Sequence, residues 1–421
     1  MNPEAAKVEL SPEAARVQRR TLRLLFCTQV IGGMGVAIGL SVGALLAARL
    51  GGTAISGLAM SSGVVGGALL ALPITRITTA RGRRWGLSVA YAIGALGGAV
   101  VVAAAALDFV PLLFAGMVLF GGGTAANLQA RYAAVDLATP ARRGRQLSLI
   151  VWATTIGSVS APNFAALADD AVRWSGVPAL TGPFVFSSLA FGFASAVLTL
   201  LLRPDPLLTA RRLAAADPVP RRAGFRPALR AVAESPAARL GVAAVAVGHV
   251  VMVGVMVMTP VRLGESHSDA DVLRVVGIVL SLHIAGMYAL SPLVGWLTDR
   301  LGRRPVVLGG VGVLLVACAV AGTAGHDTAR LAVGLTLLGL GWSGTMVAGS
   351  TLLTESVPAD VRPSAQGLSD LVMGLAGALA GALSGFVVEL SGYATLTALA
   401  AIATVPLVAL ALRPLVLSPR T

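Results

Sequence analysis

Twelve apolar runs, each about the length of a bilayer-crossing helix, divide this sequence and leave it few other ways to fold. They begin near Leu24, Ala54, Gly86, Val110, Leu147, Gly182, Leu240, Val275, Val306, Leu331, Leu368 and Tyr393. A hydrocarbon core needs roughly 20 such residues per helix. Within it the backbone must satisfy its own hydrogen bonds, so helix is expected throughout. Of the 421 residues, 56% are hydrophobic and only 12% charged, and mean hydropathy is +0.83. A soluble chain of this size would need a far more polar surface. The expected fold is an all-α membrane protein with twelve transmembrane helices in two pseudo-symmetric six-helix bundles. The expected boundaries are a tail at 1–23, bundles at 24–202 and 240–412, a Pro- and Arg-rich cytoplasmic linker without apolar periodicity at 203–239, and a tail at 413–421.

The net charge of +13 could suggest nucleic acid. Its distribution argues otherwise. With the N-terminus in the cytoplasm, all but five of the 32 Lys and Arg fall on the cytoplasmic side; Arg49, Arg173, Arg262, Arg274 and Arg330 are the exceptions. That is the positive-inside bias, and it orients both tails and the linker inward, in a multi-pass protein of the cell's inner (plasma) membrane. The basicity is topological, and the expected partner is the lipid bilayer. Cys27 and Cys318 are too few for a disulfide framework and read as packing residues. No cleavable signal precedes the first run. No nucleophile, acid–base pair or phosphate loop stands out, so neither an enzyme nor a cofactor is expected.

The halves repeat. Thr75 to Arg84 aligns with Gly295 to Arg304 at an offset of 220; Gly116 to Gly121 aligns with Gly334 to Gly339 at 218; Asp136 aligns with Glu355 at 219; Leu147-Ser148 aligns with Leu368-Ser369 at 221. A steady offset implies duplicated bundles. The segment Gly295-Trp296-Leu297-Thr298-Asp299-Arg300-Leu301-Gly302-Arg303-Arg304 reads as a ten-residue loop between two spans. Its pattern, G-x-x-x-D-R-x-G-R-R, resembles the loop signature of the major facilitator superfamily at every defining position. The resemblance covers the whole chain. It implies secondary transport by alternating access, a central cavity lined by spans 1, 4, 7 and 10, and a gating role for Gly295, Asp299, Arg300, Gly302, Arg303 and Arg304. Asp299 would accept from the start of the fifth span near Gln146 to Ser148, where the helix dipole favours an anion.

The first copy departs from the pattern, with Thr79 at the acidic position and Ala80 after it. An acid from elsewhere would have to complete it. Asp370, in the first turn of span 11, could pair with Arg81 or Arg83, or simply cap its own helix. Two motifs of proton-coupled drug antiporters are also degraded. The fourth-span stretch Met117-Val118-Leu119-Phe120-Gly121 lacks the Arg and Gln of R-x-x-Q-G. The fifth-span motif survives only as Gly157, Ala161, Pro162, Asn163, Phe164, Ala165 and Ala166. Small residues there read as tight helix packing.

Histidine and methionine mark the seventh and eighth spans. His249, Met252 and Met256 share one face at i, i+3, i+7, and His283 and Met287 share another at i, i+4, whereas Met258 points away from Met256. An imidazole at mid-membrane is expensive, and thioether with imidazole suits Cu(I). M-x-x-x-M followed by H-x-x-x-M in adjacent spans resembles the bacterial copper importers of the superfamily that supply cytochrome oxidase assembly. The resemblance implies Cu(I) uptake through His249, Met252, Met256, His283 and Met287 as both substrate and metal ligands. The same residues also read as gap-filling methionine and carbonyl-bonded histidine lining a cavity for a small apolar or amphiphilic organic compound. A non-transporting membrane sensor is the remaining alternative. His267 and His326 fall in external loops near Glu265, Asp269, Asp271 and Asp327 and read as solvated. A monomer carrying a small-molecule or metal-ion substrate is expected.

Overall fold

A computed structural model describes residues 11–138, 143–213, 225–267, 269–358 and 361–413, and every regular element among them is helical. In the first half these are α1 (Pro12–Gly51), α2 (Thr53–Arg81), α3 (Arg83–Ala106), α4 (Val110–Ala133), α5 (Arg143–Ser160), α6 (Ala165–Val172) and α7 (Gly182–Leu201). α8 (Pro206–Leu213) and α9 (Phe225–Glu234) follow. The second half holds α10 (Pro236–Gly264), α11 (Asp269–Tyr288), α12 (Ser291–Leu301), α13 (Arg303–Gly322), α14 (Thr328–Ser356), α15 (Arg362–Ile402) and α16 (Val405–Leu412).

Ten of the described helices are long and apolar enough to cross a membrane, and one of them, Ser364–Leu412, carries two runs. Gly392 separates these runs, at φ 80° and ψ 170°, a bend that only glycine adopts readily. The fifth run is helical too but interrupted. Pro162 opens a 3₁₀ turn, Ala161–Phe164, between α5 and α6, because proline removes a donor and clashes with the preceding turn. All twelve runs are therefore helical.

Two expectations change. The signature segment is not an open loop. Residues 295–301 continue α12, and α13 begins at Arg303, so Gly302 alone makes the turn. The linker is not unstructured along its described parts. α8 and α9 occupy 206–213 and 225–234, while 214–224 lies outside the described residues.

By contact the chain forms two compact units, Met1–Leu40 with Gly63–Val219 and Ser41–Ser62 with Pro220–Thr421. Residues 41–62, read from sequence as part of the first bundle, thus pack in the second unit. Small residues explain why. A Cβ on Gly57 would collide with the Gly381 carbonyl, and the Ser61 hydroxyl donates to the Ala378 carbonyl at 2.6 Å.

Lipid tails are as apolar as leucine, so helices here associate through close packing rather than by leaving water. The α3–α4 seam shows this. A Cβ on Gly97 would strike the Phe120 backbone, and one on Gly122 would sit 2.6 Å from the Ala90 carbonyl. The repeat rebuilds the seam in α13–α14, where a Cβ on Gly310 would lie 2.9 Å from the Thr345 nitrogen. Phe120 fills the space between Phe184 and Phe191, at ring separations of 5.6 and 5.4 Å. In the second unit Leu240, Ala244, Val307, Val311, Ala348 and Leu407 form a buried core. Leu189, Leu200, Leu390 and Ile402 are exposed, as side chains facing hydrocarbon would be.

Candidate functional site

The duplicated turns build matching ionic joints. Gly82 (φ 92°, ψ 174°) and Gly302 (φ 92°, ψ 162°) take the same backbone conformation. The arginine after each grips the acid at the end of the following hairpin. Arg83 donates to Asp136 through Nε at 2.8 Å and Nη2 at 3.0 Å. Arg303 donates to Glu355 through Nε at 2.9 Å and Nη2 at 2.6 Å. Fork-to-fork geometry of this kind is strong and directional. The two joints differ in burial. Side-chain exposures are 13% and 9% for Arg83 and Asp136, against 28% and 49% for Arg303 and Glu355. Burial raises the Asp136 pKa, and the Arg83 hydrogen bond and charge oppose that rise.

Arg83, expected to be available to Asp370, is thus held by Asp136. Asp205, from the stretch read as linker, supplies an acid to the first turn. Its Oδ2 accepts from the Arg84 N–H at 2.8 Å, and its Oδ1 from Leu207 and Leu208 at 3.0 and 3.1 Å. Arg211 adds a bond to the Thr79 carbonyl at 2.7 Å. In the second turn Asp299 is exposed and lies 3.7 Å from Arg303. The side chains of Leu147 and Ser148, near its expected anchor, lie outside those described. Arg300 stacks over Trp296 at 5.1 Å, and Arg304 donates to the carbonyls of Ala411 and Arg413, the latter at 2.7 Å. Arg81 is exposed at the end of α2, and Gly295 is half-buried in the middle of α12. In the fifth span a Cβ on Gly157 would collide with the Val30 carbonyl, so the small residues there serve close packing.

Within the spans of the second unit, α14 holds both histidines. The Trp342 indole N–H donates to His249 Nδ1 at 3.2 Å. Indole is a donor only, so Nδ1 carries the lone pair and the proton sits on Nε2. His249 and Tyr288 both pack on the Trp342 ring, with ring separations of 6.2 and 5.9 Å. Gly377 of α15 lets the helix backbone pack against the imidazole: a Cβ there would come within 2.9 Å of Nε2. His249 and Trp342 lie near the midpoints of α10 and α14, so the cluster is deep in the bilayer.

His283 has the opposite tautomer. Its Nδ1–H donates to the Leu335 carbonyl at 2.7 Å, and its Nε2 is enclosed without a partner. Met252 and Met287 are buried, Met256 is half-buried, and the Met258 sulfur accepts from the Ser56 hydroxyl at 3.6 Å. Residues 335 and 342, which hold the two imidazoles, are two turns apart, about 10 Å along α14. Among the described residues no three His, Cys, Asp or Glu side chains cluster as a metal site. The two loop histidines serve local bonds: His326 Nδ1 lies 2.7 Å from the Ser266 hydroxyl, and His267 Nδ1 lies 3.0 Å from the Leu263 carbonyl.

Sequence reasoning passed over a polar network in the first unit. Gln29 of α1, Tyr91 of α3, Asn127 of α4 and Thr154 of α5 are linked by hydrogen bonds of 2.7 to 3.3 Å. Two uncharged amides inside apolar runs were the available signal, as was Trp342 in the tenth run.

The Major Facilitator Superfamily model matches residues 24–274 and 271–421. An uncharacterized MFS-type transporter of Bacillus subtilis strain 168, YdeG, is 37% identical over 94% of this chain and 93% of its own. The riboflavin transporter RfnT of Brucella anthropi is 29% identical over 96% of each. The fold is similar to the crystal structure of a bacterial homolog of the human lysosomal transporter Spinster, with a TM-score of 0.72 and 16% identity over 96% of both chains. It is also similar to a D-xylose–proton symporter, with a TM-score of 0.68 and 17% identity over 91% of this chain and 96% of that one. A duplicated six-helix sequence, its paired glycine turns and these matches together place the chain in the Major Facilitator Superfamily, as a multi-pass secondary transporter.

Proposed function

We propose that the transported substrate is a small planar aromatic organic compound carrying hydrogen-bond acceptors. The observation that carries this reading is the mid-membrane cluster of His249, Trp342 and Tyr288. Trp342 and Tyr288 offer aromatic faces. The Nε2–H of His249 has no protein partner and is available to an acceptor on the solute. A relative that is named a riboflavin transporter supports the same class.

Cu(I), the substrate expected from the Met and His faces, fits these contacts less well. A soft cation needs imidazole lone pairs. His249 spends its lone pair on Trp342, while the free lone pair of His283 is walled in.

The test is uptake into proteoliposomes of riboflavin, alloxazine and, under reducing conditions, Cu(I). At least one aromatic compound should enter above empty vesicles. Trp342→Leu should lower that uptake about tenfold, the worth of a lost aromatic contact plus a freed imidazole, whereas Met256→Leu with Met287→Leu should not. Copper uptake without aromatic uptake, abolished in the methionine double variant, would refute the reading.

A further inference from the structure

We infer that Asn127 is the residue in the first unit that accepts a hydrogen bond from the transported compound, with Tyr91 as the positioning residue that turns it to do so. The inference rests on the organic-substrate reading above and narrows the substrate to compounds bearing an N–H or O–H donor.

The argument is proton accounting. The Gln29 Nε2 donates to the Asn127 backbone carbonyl at 3.0 Å and to the Thr154 hydroxyl at 3.3 Å. Its amide nitrogen is therefore fixed, and its Oε1 faces the Tyr91 hydroxyl at 2.8 Å. The same phenol oxygen lies 2.7 Å from the Asn127 side-chain atom assigned as Oδ1, a second acceptor facing the one phenol proton. A phenol has one proton, and Gln29 Oε1 can only accept, so that proton goes to Gln29. What remains on the Tyr91 oxygen is a lone pair, which can take only a donor. The nitrogen and oxygen of an amide are nearly alike in shape, and the network decides between them. Asn127 must turn its NH₂ toward Tyr91 and its carbonyl oxygen away.

That outward carbonyl has no protein partner. The enclosed, unpartnered side-chain atoms among the described residues belong to Gln18, Ser88, Ser188, His283, Ser343 and Arg362. Asn127 is absent from that set and only half-buried, so its free oxygen opens onto space a ligand can enter. Gly32 keeps the arrangement possible: a Cβ there would collide with the Tyr91 hydroxyl and lie 2.7 Å from the Asn127 amide. Thr154 cannot substitute as the contact, because its hydroxyl donates to the Ile150 carbonyl at 3.2 Å and accepts from Gln29. An amide at this depth with one satisfied and one open end is costly unless something fills the open end. A network that served only to tie α1, α3, α4 and α5 together would have no use for it.

The experiment uses the purified full-length chain in lipid nanodiscs and two matched pairs of probes, indole with 1-methylindole and alloxazine with 1,3-dimethylalloxazine. Binding is measured by equilibrium dialysis. The wild type should prefer the N–H member of a pair about tenfold, the worth of one hydrogen bond to a buried acceptor. Asn127→Leu should abolish the preference. Tyr91→Phe, which keeps the ring between the helices, should reduce the preference, since the amide is then free to turn. Helix packing alone would not make either variant choose between N–H and N–CH₃. Equal binding of both members by the wild type, or a preference retained in Asn127→Leu, overturns the inference and leaves the aromatic-substrate reading standing. No binding by either pair overturns both.

Discussion

Replacing Gly82 by alanine should cost the fold more than the same change at Gly302, although the two glycines are equivalent by repeat and by backbone. Both sit at φ 92° with ψ near the extended limit. This region is essentially closed to side chains, so each change carries about 1–3 kcal/mol of backbone strain. The surroundings then separate them. A Cβ on Gly302 meets nothing closer than the Pro305 ring at 3.8 Å. A Cβ on Gly82 falls 2.5 Å from the Asp205 carboxyl carbon, so Asp205 must move. That carboxylate holds three backbone N–H groups, those of Arg84, Leu207 and Leu208. Losing even one charge-assisted bond of this kind adds about 1.5–3 kcal/mol. The difference between the variants should therefore be about 2 kcal/mol. For a cooperative unit of this size, 1 kcal/mol moves the melting point by about 2–4 °C. Thermal unfolding of detergent-purified protein should place Gly82→Ala at least 4 °C below Gly302→Ala, a figure from the same scale. In an Asp205→Ala background the gap should close. Equal melting of the two single variants, or a gap that survives loss of Asp205, would refute the reasoning.

The ionic joints give a second contrast. Arg83→Gln strands a buried Asp136 and should destabilise by about 3 kcal/mol, whereas Arg303→Gln breaks a half-exposed pair worth about 1 kcal/mol or less; comparable melting points for the two would count against this. The pH dependence follows from the raised pKa of Asp136. Its contribution to stability is fully present below the ordinary 3.8 and is lost as pH rises through the raised value; Asp136→Asn should flatten the stability profile in that window. Orientation is open to labelling. With Cys27 and Cys318 replaced, a cysteine at position 212 on α8 should react with an impermeant maleimide only after permeabilisation, and labelling of intact cells would reverse the topology.

The helices were legible because hydrocarbon permits so little else. Apolar run length alone located all twelve, and the repeat offset already paired Asp136 with Glu355. The partners of those acids follow from the same offset, since Arg83 and Arg303 are equivalent. Asp205 was hidden because its role depends on α8 folding back to the α2–α3 turn, a contact far apart in sequence. The tautomers of His249 and His283 were also out of reach. Each is set by one hydrogen bond to α14, and a span pattern says nothing of which nitrogen is engaged. Gln29 and Asn127 were visible as amides in apolar runs, but their bonds join helices far apart in sequence, and spacing says nothing of those.

The glycine seams constrain motion as well as packing. Where the α3 and α4 backbones touch at Gly97 and Gly122, no side chain stands between them to slide or rotate. Interdigitated backbones behave as one beam. Bending within that pair would need several main-chain contacts to break together, a concerted cost that rotation of the pair as a body avoids. Compliance must then come from elements without such seams: the proline-interrupted α5–α6 and the Gly392 bend, where an added Cβ would meet open space. A transporter built this way is stiff in its paired hairpins and yields at its discontinuities, so substitutions that stiffen residues 161–164 or 392 should slow turnover without altering what the protein binds.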